Sequence, residues 1–203
     1  MSKRIRTHTN PLSFHQTMDA IDFSKEFKHF SGYIDFEIGF GKGVFIQGYA
    51  KRYPERHIVG IEVRKQAVDF VNHLLNENGI SNVLALHGAA YRCLEDCIPD
   101  GSIQRCFVFH PDPWIKDRHA KRRVIQTQLL DLLERKLQEK GRVYVSTDVD
   151  FLWDDISNTF NKDSRFKTID DDVFWSTDYL THWSMFSELD KRNQFFGSFE
   201  CKS

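Results

Sequence analysis

What this chain has little of narrows its chemistry before any motif is read. Cysteine is sparse: Cys93, Cys97, Cys106 and Cys201 form no Cys-x-x-Cys pair, so reduced thiols and no zinc site are expected. Cys93 and Cys97 stand at i,i+4, the spacing of neighbours on a buried helix face. No window approaches 18 uncharged apolar residues, which removes a membrane-spanning helix. The opening Met1-Ser2-Lys3-Arg4-Ile5-Arg6 is basic and lacks the apolar stretch of a secretory signal. A cytoplasmic location with no membrane partner is therefore expected. Excess charge is absent too: 28 Lys plus Arg against 29 Asp plus Glu leave a net charge of -1. The whole chain offers no field that would draw a polyanion, and any basic surface has to be local.

What is present describes a packed globule. Hydrophobic residues make up 40%, aromatics 14% and charged residues 28%, a balance that excludes a disordered tail, a collagen-like repeat and a coiled-coil rod. A chain of 203 residues buries roughly 70% of its unfolded surface. No repeat, low-complexity tract or linker divides it, so one domain is expected. Residues 1–30 are polar and irregular, with a turn at Asn10-Pro11, and read as a basic N-terminal arm before a domain at 31–203. From Tyr33 short β-rich runs alternate with helical periods: strands at 33–38, 57–62, 83–87, 105–109 and 142–147, helices at 44–53, 65–78, 124–139 and 151–160. Gly141 reads as the cap of the helix at 124–139. After Asp163 the pattern thins, leaving a last strand at 195–199. The alternation predicts a doubly wound α/β domain with a parallel sheet.

Three glycines follow the first strand in Glu37-Ile38-Gly39-Phe40-Gly41-Lys42-Gly43, immediately before a helix. Alternate glycines let the backbone turn sharply and approach a ligand, and the position suits a nucleotide or nucleoside pocket. By itself this spacing is common; the carboxylates sharpen it. Glu37 lies where a dinucleotide's pyrophosphate would pass and would repel it, while suiting a cationic or hydroxyl-rich ligand. Glu62 ends the second strand, where an acid reaches ribose hydroxyls. Ordinary strand-end acids are the bland alternative, but the pair favours S-adenosylmethionine over NAD. At the end of the third strand, Gly88 and Ala89 offer an adenine ring backbone groups or an apolar contact, without a side-chain carboxylate or amide.

The most informative segment is Phe109-His110-Pro111-Asp112-Pro113-Trp114-Ile115-Lys116-Asp117-Arg118-His119-Ala120-Lys121-Arg122-Arg123, at the end of the fourth strand. Two prolines hold Asp112 in a stiff turn, and a pre-set carboxylate followed by Trp114 looks like a site for a flat base. Five Lys or Arg among residues 116–123 suffice to meet several phosphates. A solvated helix start usually explains such a run; adjacency to the crevice reverses that preference here. For Trp114 and Trp183 taken singly, core packing is the commoner role.

In these residues the chain resembles the bacterial tRNA (guanine-N7)-methyltransferases. The resemblance rests on residues 37–43, on Gly60-Ile61-Glu62, on 111–123, on Thr147-Asp148 and on Arg4-Ile5-Arg6-Thr7-His8-Thr9-Asn10-Pro11-Leu12. It covers about residues 3–160. It implies a seven-stranded, mostly parallel, Rossmann-like class I methyltransferase domain over 31–203, with S-adenosylmethionine as cofactor, no metal, and tRNA as partner. The implied reaction is methyl transfer to N7 of a guanine in the tRNA variable loop, at position 46. The resemblance places Glu37, Gly39, Gly41, Gly43, Glu62, Gly88, Ala89 and Asp112 at the cofactor, Asp112 being also the catalytic residue. It places Lys116, Arg122, Arg123, Asp148, Thr181 and Ser184 at the substrate. Two stretches depart from the family: His87-Gly88-Ala89 stands where Asp or Asn is usual, and Thr181-His182-Trp183-Ser184 where the motif is Thr-x-x-Glu.

Guanine N7 carries a lone pair and no proton, so no base is needed to create the nucleophile, and orientation is expected to supply roughly 7–11 kcal/mol. A carboxylate such as Asp112 beside the developing imidazolium would stabilise the transition state. Asp112 or Asp148 would accept from guanine N1 and N2, and Lys116 would take O6 or a phosphate. Lys3, Arg4 and Arg6 would add phosphate contacts. The residues leave three alternatives: a paralogue methylating another RNA position, a non-catalytic RNA binder, and a dinucleotide-dependent oxidoreductase. A pure binder has no use for four such acids, and the glycine pattern departs from Gly-x-Gly-x-x-Gly. Monomer and homodimer are both open.

Overall fold

A computed structural model describes residues 17–202; Lys3, Arg4, Arg6 and the motif at 4–12 lie outside the described residues. Strands β1 (Ile34–Ile38), β2 (Ile58–Glu62), β3 (Val83–His87), β4 (Ile103–Phe109), β5 (Leu137–Thr147), β6 (Phe166–Ile169) and β7 (Phe195–Cys201) form one sheet, ordered β3-β2-β1-β4-β5-β7-β6. The first five pair in parallel, whereas β7 runs antiparallel to β5 and β6. This is the seven-stranded, mostly parallel sheet that the alternation and the resemblance imply. The helices are α1 (Phe23–Glu26), α2 (Val44–Arg52), α3 (Lys65–Glu77), α4 (Ala90–Asp96), α5 (Thr127–Lys136), α6 (Asp150–Asn161), α7 (Asp172–Thr177) and α8 (His182–Leu189).

The period of two along β1 builds the layers. Ile34, Phe36 and Ile38 join one core with Phe23, Leu94, Leu133 and Phe160, from α1, α4, α5 and α6. Across the sheet, Phe107 and Tyr144 pack with Phe45, Val71 and Phe174 from α2, α3 and α7. The intervening β1 residues are Asp35 and Glu37, 1% and 3% exposed. Asp35 is fully engaged: it accepts from Arg56 Nε at 2.6 Å, Arg56 Nη2 at 2.7 Å and Tyr49 OH at 2.8 Å.

Several boundaries differ from the sequence reading. Within the polar stretch before residue 30, α1 buries Phe23 and Phe27 in the first core, so this part is anchored rather than irregular. The helix expected at 124–139 starts at Thr127 and stops at Lys136, because Leu137 already pairs with Ile103 of β4. Gly141 therefore caps no helix and lies in β5, while Lys140 before it takes the left-handed conformation at φ 58°. Past Asp163, β6, α7 and α8 are short elements held by tertiary packing, such as Tyr144 on Phe174 at 4.0 Å and Phe160 on Phe199 at 3.8 Å between ring centroids. Cys93 lies in α4 and Cys97 caps it, and all four cysteines are buried free thiols. Among the described residues no helix is long and apolar enough to cross a membrane.

Phe174 joins α7 to the second core through the Tyr144 ring at 4.0 Å and the Phe107 ring at 5.6 Å. Phe174→Ala should cost about 3–5 kcal/mol of unfolding free energy in urea. A loss under about 1 kcal/mol, the scale of a surface change, would detach α7 from the cooperative unit.

Candidate functional site

The chain leaves β1 toward β2 on one side and meets β4 on the other, and in such sheets ligands lie outside the carboxyl ends of the strands at this switch point. Gly39, Gly41 and Gly43 run through this place at φ 77°, 57° and 73°, a region that residues with a Cβ enter only under strain. At Gly43 an added Cβ would lie 2.7 Å from Val71 Cγ2, so α2 packs on α3 through a bare backbone. At Gly39 it would meet nothing within 4 Å.

Glu37 and Glu62 end neighbouring strands, yet they are satisfied very differently. Glu62 Oε1 accepts from the Arg64 backbone N–H and from Arg64 Nε, both at 3.0 Å; Oε2 accepts from Gly41 N–H at 3.1 Å and Arg64 Nη2 at 2.9 Å. A hydroxyl-bearing ligand at Glu62 has to share it with Arg64. Glu37 Oε2 is buried with no hydrogen-bond partner among the described residues. Burial and, secondarily, the Glu62 charge push the Glu37 carboxyl up to about 8. A buried carboxyl oxygen lacking a donor is costly, and a cationic or hydroxyl-rich ligand would supply one. Gly88 N–H donates to the Glu62 carbonyl at 3.0 Å, and Ala89 is the buried residue that precedes α4. A Cβ on Gly88 would approach Met18 Sδ at 3.0 Å. The exposed Asp112 faces the Arg64 guanidinium electrostatically. Glu37, Glu62, Gly88 and Asp112 thus gather at one end of the sheet.

The loop after β4 is held by its own basic run. His110 and Trp114 both adopt left-handed φ, 46° and 41°. Arg123 donates from Nε to the Pro113 carbonyl at 2.9 Å and from Nη2 to the Trp114 carbonyl at 3.3 Å, pairs with Asp155, and lies 5.3 Å from the Phe151 ring centroid. Arg122 lies over the half-buried Trp114 ring at 5.0 Å, its Nε buried without a partner among the described residues. The residues from Asp117 to Arg122 form a tight 3-10 turn in place of an α-helix start. Lys116, Arg118 and Lys121 are exposed, so the run divides into cations that build the loop and cations that face solvent.

A third cluster joins the C-terminal region to the ends of β4 and β5. Asp148 Oδ2 accepts from Ser187 Oγ at 3.0 Å and Arg192 Nη1 at 2.9 Å, and Oδ1 lies 3.5 Å from His110 Nδ1. Burial raises the Asp148 carboxyl, but the Arg192 and Ser187 hydrogen bonds and the His110 charge outweigh it and hold it below the ordinary value. Burial depresses His110, against the pull of Asp148. Its Nε2 lies 2.7 Å from Tyr179 OH, which is 2.9 Å from Ser146 Oγ. Thr181 and Ser184 form a reciprocal capping box at the start of α8, with hydrogen bonds of 2.8 and 2.9 Å, and both are buried. Next to them, His182 Nε2 meets Lys42 Nζ of the glycine loop at 3.0 Å, and Trp183 is 38% exposed. The sequence reading missed Arg64, His110, Ser146, Tyr179 and Arg192. Arg64, two residues after Glu62, and His110, ahead of the Pro-Asp-Pro turn, were within reach of local pattern; Tyr179 and Arg192 carried no such signal. Among the described residues no group of three His, Cys, Asp or Glu could hold a metal.

A family model described as "Putative methyltransferase" matches residues 32–198. The chain belongs to this family. The tRNA (guanine-N(7)-)-methyltransferase of Shewanella amazonensis is 35% identical over 147 residues, 72% of this chain and 61% of that relative. That of Nitrosococcus oceani is 40% identical over 112 residues, 55% of this chain and 48% of the relative. The chain therefore spans about half to three-fifths of the length of these curated relatives. Among solved structures, the 16S rRNA methyltransferase KamB superposes with a TM-score of 0.59 at 13% identity, covering 85% of this chain and 90% of that one. The precorrin-6y C5,15-methyltransferase of Geobacter metallireducens gives 0.56 at 14% identity, covering 85% and 80%. These likenesses show the methyltransferase fold alone.

At this switch point, the raised Glu37 carboxyl makes stability depend on pH. Its contribution is fully present below about 4.5, the ordinary value, and is lost as pH rises through about 8. Glu37→Gln should remove that dependence, the difference in unfolding free energy between variant and parent changing by up to about 4 kcal/mol between pH 5 and 9. A pH-independent difference would mean that the folded chain solvates the carboxylate.

Proposed function

We propose that this chain transfers the methyl group of S-adenosylmethionine to N7 of a guanine in the variable loop of tRNA, at position 46. The observation that carries the reading is the buried Glu37 oxygen, without a donor among the described residues, beside Glu62 at the strand switch point. The curated relatives named as tRNA (guanine-N(7)-)-methyltransferases support the substrate. In this reading Glu37, Glu62, the bare backbone at Gly39, Gly41 and Gly43, and Gly88 with Ala89 hold the cofactor, and Arg64 yields part of Glu62 to a ribose. The domain at 31–203, with α1 packed into its core, transfers the methyl group, Lys3, Arg4 and Arg6 ahead of it meet phosphates, and a tRNA partner fits a cytoplasmic location.

S-adenosylmethionine, when bound, supplies a methyl group on a sulfonium. The protein's own task is orientation, because N7 already presents its lone pair, and a near-attack geometry contributes roughly 7–11 kcal/mol. Asp112, held between two prolines, places a carboxylate where positive charge grows on the base. Asp148 stays ionised through Arg192 and Ser187, ready to accept from the guanine N1 and N2 groups. Lys116 meets O6 or a phosphate, while Arg122 covers the Trp114 ring and Arg123 keeps the Pro113 and Trp114 carbonyls in place. Thr181 and Ser184 act through the cap of α8, which seats His182 against Lys42.

The test incubates the protein with methyl-labelled cofactor and unmodified tRNA, then repeats it with 7-deazaguanine in place of the variable-loop guanine. Transfer to the first substrate alone supports N7 chemistry at that position; equal transfer to both places the target elsewhere and overturns the reading. Asp112→Ala should abolish transfer while tRNA retention stays within about twofold, since one acid adds little to a phosphate-dominated interface. Normal turnover in that variant would remove Asp112 from the reaction.

A further inference from the structure

A second feature lies at the opposite end of the sheet. A cavity of about 260 Å³ is lined by Arg56, Gln104, Arg105, Gln138, Lys140 and Arg142. Arg105 is near the start of the seven-residue strand β4, and the strand end that borders the crevice is roughly 13 Å away.

The four cations of this cavity are not cancelled by their surroundings. Arg56 is paired with Asp35 at 2.6 Å, and Arg142 with Asp171 at 3.0 Å and Glu200 at 3.6 Å. Lys167 draws on the same Glu200 at 2.8 Å. Arg105 Nη1 donates to Tyr49 OH at 3.0 Å. Among the described residues, neither Arg105 nor Lys140 has a carboxylate within ion-pair distance. Five cations therefore share three carboxylates around one concave surface. Converging like charges destabilise a fold unless an anion joins them.

Backbone geometry brings two of the lining residues there. Ile103 pairs with Leu137 and Arg105 with Arg142, so one residue of β4 stands opposite the four residues 138–141 of β5. This irregularity carries Gln138 and Lys140 to the cavity, and Lys140 takes φ 58° to do so. Bulges recur where a side chain has to be re-aimed, and a left-handed lysine is strained.

We propose that this cavity is a binding site for a phosphate group, held by the guanidinium donors of Arg105 and Arg142, the Lys140 ammonium and the amides of Gln104 and Gln138. Guanidinium forks match the planar pairs of phosphate oxygens. The site is independent of the crevice reading, and the phosphate is either free, on a small phosphorylated molecule, or part of an RNA backbone.

Titration calorimetry of the full chain with inorganic phosphate, against chloride at equal ionic strength, tests it. Saturable binding of one phosphate per chain is expected, weakened roughly tenfold or more by Arg105→Gln. Lys140→Gly, which suits the left-handed backbone and so keeps the fold, should weaken it several-fold. No binding beyond chloride, or binding that neither variant alters, overturns the proposal, the latter placing the anion on residues 116–123. A parallel arm measures tRNA affinity with and without saturating phosphate. Competition, together with weaker tRNA binding by both variants, supports the site with an RNA backbone as the source. Unchanged tRNA binding with the phosphate effect intact supports it with a free phosphate or small phosphorylated molecule.

Discussion

Strand β1 carries two carboxylates into the middle of a sheet covered on both faces, and charge in such surroundings is stable only when partnered. Asp35 receives three hydrogen bonds, two from Arg56 and one from Tyr49 on α2. Glu37, two residues along, keeps an oxygen without a donor among the described residues. One end of the strand is thereby closed and the other open. Helix α2 links them, since its body brings Tyr49 to Asp35 while the glycine loop ahead of it borders Glu37.

The same asymmetry recurs across the open end. Glu62 is occupied by Arg64 and Gly41, Asp148 by Ser187 and Arg192, and both hold their partners in exchangeable geometry near solvent. Arg64 is 47% exposed and Arg192 46%, so each guanidinium can turn to water once a ligand donor replaces it on its buried acid. Glu37, whose buried Oε2 has no partner among the described residues, has no such substitute there. In the proposed reaction this makes Glu37 the acid whose protonation responds most to the arrival of a cationic ligand.

The basic run after Asp112 divides its cations between the loop's own structure and solvent. Five cations in eight residues read as phosphate contacts, yet Arg123 spends its guanidinium on the Pro113 and Trp114 carbonyls, and Arg122 covers the Trp114 ring. Guanidinium groups satisfy backbone carbonyls as readily as phosphates. The C-terminal Thr181 and Ser184 were legible only as a motif remnant; their capping box became visible once α8 was placed, because a hydroxyl three residues from another has many local uses.

The amino-acid sequence by itself determined the order of β1 to β5 with α2, α3, α5 and α6, but not the short α1 and α4; it also placed the glycine turn and the strand-end positions of Glu37, Glu62 and Asp112, because hydrophobic period and turn chemistry are local. Only the tertiary structure decided which of those acids is satisfied, where the region after Asp163 packs, and that Arg56, Arg105, Lys140 and Arg142 surround one cavity. Apart from the local pairing of Arg64 with Glu62, those outcomes depend on contacts between residues tens of positions apart, which no local pattern encodes.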